Sequence, residues 1–159
     1  MLPRLAGRAI RVEMRRSLGP HMASTSIPGR LILLDAEVLR SKGEFERILV
    51  HEMFHFVWTR CSNATRRSWE QVLEREMRGR ARGELGWSAE WRKVKLTRQD
   101  RRGRSARWRR YACESFCDTA AWRFSGVPRH DEFTLVERWR RGRKAWFNHA
   151  FPATQVIPI

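Results

Sequence analysis

Acidic residues are scarce in this chain: 17 Asp and Glu stand against 33 Lys and Arg, leaving a net charge of +16 over 159 residues. Cysteine and tyrosine are scarcer still, with three and one. Cys61, Cys113 and Cys117 are an odd count and too few for a disulfide framework, so a reducing compartment is expected. No uncharged apolar run approaches the ~20 residues that a membrane-spanning helix needs. The first 20 residues are rich in Arg but no apolar segment follows them, so no secretory signal is expected and the cytoplasm is the expected location. No repeat recurs along the chain. What is abundant suits a folded protein: 42% of residues are hydrophobic, with eight Trp and eight Phe. That is enough to fill one core, so residues 1–159 are read as a single domain rather than a disordered chain.

Hydrophobic spacing and turn residues divide the chain into elements. Residues 8–16 alternate partly between apolar and charged and read as a strand, broken by Gly19-Pro20. Ala23 to Ile27 reads as a second short strand, and Pro28-Gly29 as a turn into the apolar run Arg30–Asp35, a buried strand. Ser41 and Glu44 are spaced as a capping box for a helix over about 42–59. Trp69, Val72, Leu73 and Met77 predict another helix over about 65–80. Residues 79–104 read as loop or a mobile segment with a short helix near Ser88–Leu96, so that residues 61–104 form an Arg-rich insert. Trp108, Ala112, Phe116, Ala120 and Phe124 place a helix over about 105–125, stopped by Gly126 and Pro128. Thr134 and Glu137 are spaced as a second capping box, opening a last helix to about His149, and residues 150–159 form an extended tail. The fold class expected is α+β: a small, mostly antiparallel sheet of about three strands packed on the 42–59 helix, with the 105–125 helix across from it.

The chemistry concentrates in His51-Glu52-Met53-Phe54-His55. Histidines four apart on a helix project from one face, about 6 Å apart at their Cβ atoms. Two ring nitrogens can then reach one Zn²⁺ at about 2.0–2.1 Å. Glu52 points to the edge of that face, where it can meet a water on the metal without being a ligand. As general base it would take the proton of that water and pass it to a leaving amine. A catalytic zinc needs a third protein ligand. Glu114 is the leading candidate, with Asp118 one turn further on the same helical face, suited to accept the second ring N–H of a ligand histidine. Cys113, Cys117, His130 and His149 are rival ligands, thiolate being a good zinc donor.

An HExxH helix after a strand, followed by a later helix carrying E-x-x-x-D, resembles the gluzincin metallopeptidases, the thermolysin-type branch of the zincins, and the size is similar to single-domain minigluzincins. The resemblance rests on two helices and the strand before them. It implies a zincin-like fold and hydrolysis of peptide bonds in a peptide or protein substrate. It also implies one catalytic Zn²⁺ held by His51, His55 and Glu114, with Glu52 as general base and Asp118 supporting a ligand histidine. The gap from His55 to Glu114 is longer than in thermolysin. Thermolysin takes its oxyanion-stabilising groups from a C-terminal domain with no counterpart in these residues, and Tyr111, His130 and His149 are the candidates here.

Two other expectations follow. Residues 60–110 hold 17 Lys and Arg against 6 Asp and Glu, +11 of the total charge. With Trp69, Trp87, Trp91 and Trp108 interleaved, this segment suits contact with DNA or RNA, and the alternative function is a nucleic-acid-binding protein whose zinc is structural. A latent peptidase is the other alternative, with Phe151–Ile159 lying in the cleft. Substrate is expected along an edge strand, either Arg30–Asp35 or Ala23–Ile27.

Overall fold

In the computed structural model, which describes residues 2–41 and 43–159, the elements run in the order β1 (Leu5–Ala6), β2 (Arg11–Arg15), β3 (Ala23–Ser26), β4 (Leu31–Asp35), α1 (Glu44–Arg60), α2 (Asn63–Arg78), α3 (Trp87–Lys93), α4 (Arg98–Arg102), α5 (Ala106–Phe124), α6 (Glu137–Ala150) and β5 (Ile157–Pro158). The class is α+β. Among the described residues, no helix is long and apolar enough to cross a membrane.

The three-stranded sheet is mixed, not mostly antiparallel. Its order is β2-β4-β3, with β3 antiparallel to β4 and β2 parallel to it. The turn after β3 folds the chain back as a hairpin, with Gly29 N–H donating to the Ser26 hydroxyl. Residues 16–22 carry the chain past β4, so β2 meets β4 from the far side and in the parallel sense. The most apolar strand takes the centre. Ile32 and Leu34 of β4 are fully buried and pack with Ile48 and Phe56 of α1. With both edges of β4 occupied, Arg30–Asp35 is not available to a substrate strand, whereas β3 lies at the sheet edge.

Neither expected capping box forms. Helix α1 starts after Gly43, whose φ of 87° is open to glycine, and the Glu44 carboxylate turns instead to Arg47 and His130. Lys42, inside the expected box, lies outside the described residues. Helix α6 starts after Val136 with no side-chain cap, because the Thr134 hydroxyl is engaged with Glu84 and Glu90. Ser62 and Ser105 do cap α2 and α5.

Residues 79–104 are not a loose loop. They carry α3 and α4, and Glu84, Leu85 and Ala89 are fully buried. The tail ends in an extended strand, β5, which pairs in parallel with β1 and buries Ile157 on the main core, and no residue of Phe151–Ile159 borders the cleft beside His51 and Glu52. Trp69 and Trp108 are fully buried as well. Trp69 donates to the Ala112 carbonyl at 3.0 Å and Trp108 to Glu70 at 3.1 Å, so neither ring can stack on a base.

The main core lies between α1, α2, α5 and α6. Phe54 stacks on Phe124 at 5.5 Å and Phe116 on Phe147 at 5.1 Å. Beside it, a fully buried Arg143 grips Glu76 at 2.7 and 2.9 Å and Glu84 at 2.7 Å. Lys93 pairs with Glu84 at 3.0 Å, and the Tyr111 hydroxyl donates to it at 2.6 Å. Burial opposes ionisation of Glu84, but Arg143 and Lys93 beside it win and hold its carboxyl at about 2. A depressed carboxylate contributes stability at pH values above its ordinary range, and that contribution is lost as pH falls towards 2.

Arg143→Met should therefore lower stability by about 3–5 kcal/mol in urea titration at pH 7, since buried Glu76 loses its cationic partner and Glu84 keeps only Lys93 and Tyr111. Acidification should narrow the gap from wild type, because without Arg143 the Glu84 carboxyl is held down less strongly and takes up its proton at higher pH. An unchanged gap would show that the buried pairs do not carry the effect.

Candidate metal centre

Helices α1 and α5 pack closely along their length, and on one side of that contact their polar residues meet. Four-residue spacing puts His51 and His55 on one face of α1, and Glu114 and Asp118 on one face of α5. His51 Nδ1 lies 2.7 Å from Asp118 Oδ1, and His51 Nε2 lies 3.3 Å from Glu114 Oε2. The His51 and His55 rings are 5.0 Å apart, edge to face. His55 Nδ1 is 3.5 Å from both Cys113 Sγ and Cys117 Sγ. His51 thus lies within reach of both Glu114 and Asp118, while His55 on the same face of α1 turns to Cys113 and Cys117.

The donors suit zinc. Tetrahedral zinc with bonds of about 2.0–2.1 Å needs donor atoms about 3.3–3.4 Å apart, which matches the separation of His51 Nε2 and Glu114 Oε2. Asp118 occupies Nδ1 of His51 and so directs Nε2 outward, as an outer partner of a metal histidine does. Among the described residues, the three-donor grouping at this face whose atoms all lie within 4.8 Å of one another is His51, His55 and Cys117, with Cys117 rather than Glu114 beside His55.

Electrostatics tie the group together. Burial works against a proton on His51, but Asp118 and Glu114 outweigh it and hold the imidazole well above its usual range. Burial likewise raises Glu114, while His51, His55 and Arg92 more than offset it and lower its carboxyl. Burial disfavours a proton on His55, yet the Cys113 thiol beside it turns the balance upward. The Cys113 thiol is lowered by hydrogen bonding from Cys117 and then by His55, and Cys117 is raised by its burial.

Several participants were not legible in the sequence. Glu52 is 9% exposed, and the Thr25 hydroxyl of β3 donates to its Oε2 at 2.6 Å. Arg92 of α3 pairs with Glu114 Oε1 at 3.2 Å, and Ala89 N–H donates to Asp118 Oδ2 at 3.0 Å. Gly86 lies so near Asp118 that a Cβ there would sit 2.2–2.5 Å from the carboxylate. A glycine just before a helical stretch was the one available signal; Arg92 gave none, being one Arg among many.

A cleft of about 280 Å³ opens beside this face, bordered by Ala23, His51, Glu52, Trp87, Asp118 and Glu132. Tyr111 and His149 do not border it: Tyr111 is buried against Glu84, and His149 is exposed on the last turn of α6. The histidine that does border it, beyond the metal face, is His21. Nearby, Glu44, His130 and Glu132 also cluster. Arg47 already neutralises them, bridging both oxygens of Glu132 at 2.8 and 3.0 Å and Glu44 at 2.8 Å. No protein-family model, curated protein or solved structure matches the chain.

In metal-free protein, the His51 ring should titrate above the ordinary histidine range in NMR spectra. Asp118→Asn should move that midpoint down, since the charge that favours imidazolium is gone. A midpoint unmoved by the substitution would separate Asp118 from His51 in solution.

Proposed function

We propose that the chain is a zinc-dependent peptidase of the gluzincin type, with His51, His55 and Glu114 holding the ion. The observation that carries this reading is the double use of His51, with Nε2 set 3.3 Å from Glu114 and Nδ1 held by Asp118, next to Glu52 at the rim of a cleft. When bound, zinc would act as a Lewis acid on a substrate carbonyl and acidify a water.

The remaining work falls to the chain's own residues. Glu52 takes a proton from the attacking water and returns it to the leaving amine, and Thr25 fixes the rotamer in which it does so. An extended substrate would lie along β3, whose edge away from β4 is unpaired among the described residues and whose Ala23 borders the cleft. His21 is the side chain we assign to oxyanion stabilisation, in place of Tyr111 or His149. Asp118 keeps His51 in the tautomer that binds metal through Nε2, and Arg92 steadies Glu114.

A thiolate version of the centre, with Cys117 in place of Glu114, draws support from the 4.8 Å grouping of His51, His55 and Cys117. Glu114 is preferred because its oxygen already stands at tetrahedral donor spacing from His51.

Glu114→Ala should weaken zinc binding by at least tenfold in competition with a chromophoric chelator, and Cys117→Ser should change it less than threefold. The reverse order would assign the third position to sulfur. Glu52→Gln should keep full zinc occupancy while slowing cleavage of an unstructured protein substrate by about 10²–10⁴-fold. Cleavage at the wild-type rate would remove Glu52 from the chemistry, and absence of cleavage by zinc-loaded wild type would remove the peptidase reading.

A further inference from the structure

The charge surplus of residues 60–110 does not spread evenly over the surface. Five of its arginines, Arg78, Arg98, Arg101, Arg102 and Arg104, line one groove of about 530 Å³ between the end of α2 and α4, with Glu74 as the sole acidic residue of its lining. Arg98, Arg101 and Arg102 stand at i, i+3 and i+4, so they share a face of α4, its ends about 6 Å apart at 1.5 Å per residue. Arg104 pairs with Glu70. Among the described residues, Arg78, Arg98, Arg101 and Arg102 make no ion pair, although Glu74 borders the same groove. Helix α4 is held from beneath: Asp100 is 9% exposed and bonds Thr97 and Ser105, which fixes the helix and points its arginines outward.

We propose that this groove binds the sugar–phosphate backbone of a nucleic acid strand. Clustered guanidinium groups repel one another, and a groove that gathers five of them around one lining carboxylate suits an anionic ligand. The lining is almost wholly donor: each Arg offers five N–H groups and no acceptor. A phosphodiester backbone is the matching opposite, rich in acceptor oxygens and carrying one charge per ~3.4 Å of strand. An acidic peptide brings a backbone N–H at nearly every residue, and Glu74 is the one lining side chain that could accept from it. An anionic bilayer is disfavoured too, because surface helices on membranes bury an apolar face and none of the exposed large hydrophobic side chains lines this groove. Backbone contacts of this kind carry no base readout, so binding is expected to be independent of sequence. The groove shares no lining residue with the metal-centre cleft, so it stands whether or not the chain hydrolyses peptides.

The test is fluorescence anisotropy with labelled 20-nucleotide probes, as single-stranded DNA, duplex DNA and single-stranded RNA, between 50 and 200 mM NaCl. Wild type is expected to bind, with an affinity that falls linearly in log–log form as salt rises. Arg98→Ala/Arg101→Ala/Arg102→Ala should weaken binding at least tenfold at 50 mM salt and reduce the slope by about two to three, since each lost phosphate contact is worth ~0.7–0.9 of slope. Arg16→Ala/Arg129→Ala/Arg141→Ala removes three exposed arginines elsewhere and should stay within threefold of wild type. Arg98→Lys/Arg101→Lys/Arg102→Lys keeps the charge and should keep the slope, which guards against misfolding of α4 as the cause. The idea fails if no probe binds at 50 mM salt, or if both alanine triples weaken binding equally. It also fails if the lysine variant loses the slope, or if poly-glutamate or phosphatidylserine vesicles compete as well as an unlabelled oligonucleotide of equal charge.

Discussion

Everything at the candidate centre rests on the register of α1 against α5. The two helices share an aromatic seam, Phe54 against Phe116 and Phe124, whose attraction is apolar and non-directional. The polar side is directional. Asp118 is 2% exposed, and its two oxygens are taken by His51 Nδ1 and Ala89 N–H. A slip of one residue would leave a buried carboxylate without partners, a loss of about 1–3 kcal/mol or more for a charged group. The seam therefore supplies the attraction, and Asp118 supplies the alignment that sets His51 against Glu114.

The segment between those helices completes the arrangement. Helix α3 supplies Arg92 to Glu114 and a backbone N–H to Asp118, and Gly86 leaves the space that the Asp118 carboxylate occupies. The same segment is anchored at its start by Glu84, in the buried group with Arg143, Glu76 and Tyr111. Two buried charged groups thus bracket α3. Each is satisfied internally, the condition under which buried ions are tolerated at all.

The arginines divide by partner. Arg47 and Arg143 are buried and paired with carboxylates, and Arg66 donates to the carbonyls of Trp58 and Thr59. Of those lining the α2–α4 groove, Arg104 pairs with Glu70, and Arg78, Arg98, Arg101 and Arg102 make no ion pair among the described residues. Net charge alone cannot separate these roles, since a structural guanidinium and a solvent-facing one count the same in the composition.

The residues of the centre were legible because helical spacing is a local property. Two histidines four apart, and a glutamate and an aspartate four apart, define faces before any packing is known, and His51 does meet Glu114 and Asp118, whereas His55 faces Cys113 and Cys117. The helices over 44–60, 63–78 and 106–124 and the strands before them were legible for the same reason. The sense of β2 relative to β4, the course of the tail and the burial of Trp69 and Trp108 were not, because each depends on which surfaces compete for the core. Tyr111 shows the limit: a lone tyrosine near the motif reads as a reactive group, yet a buried carboxylate 27 positions away in sequence claims its hydroxyl. The chain's own order thus determined which side chains share a face. Tertiary packing alone decided what each face meets, because burial of charge is settled by partners distant in sequence.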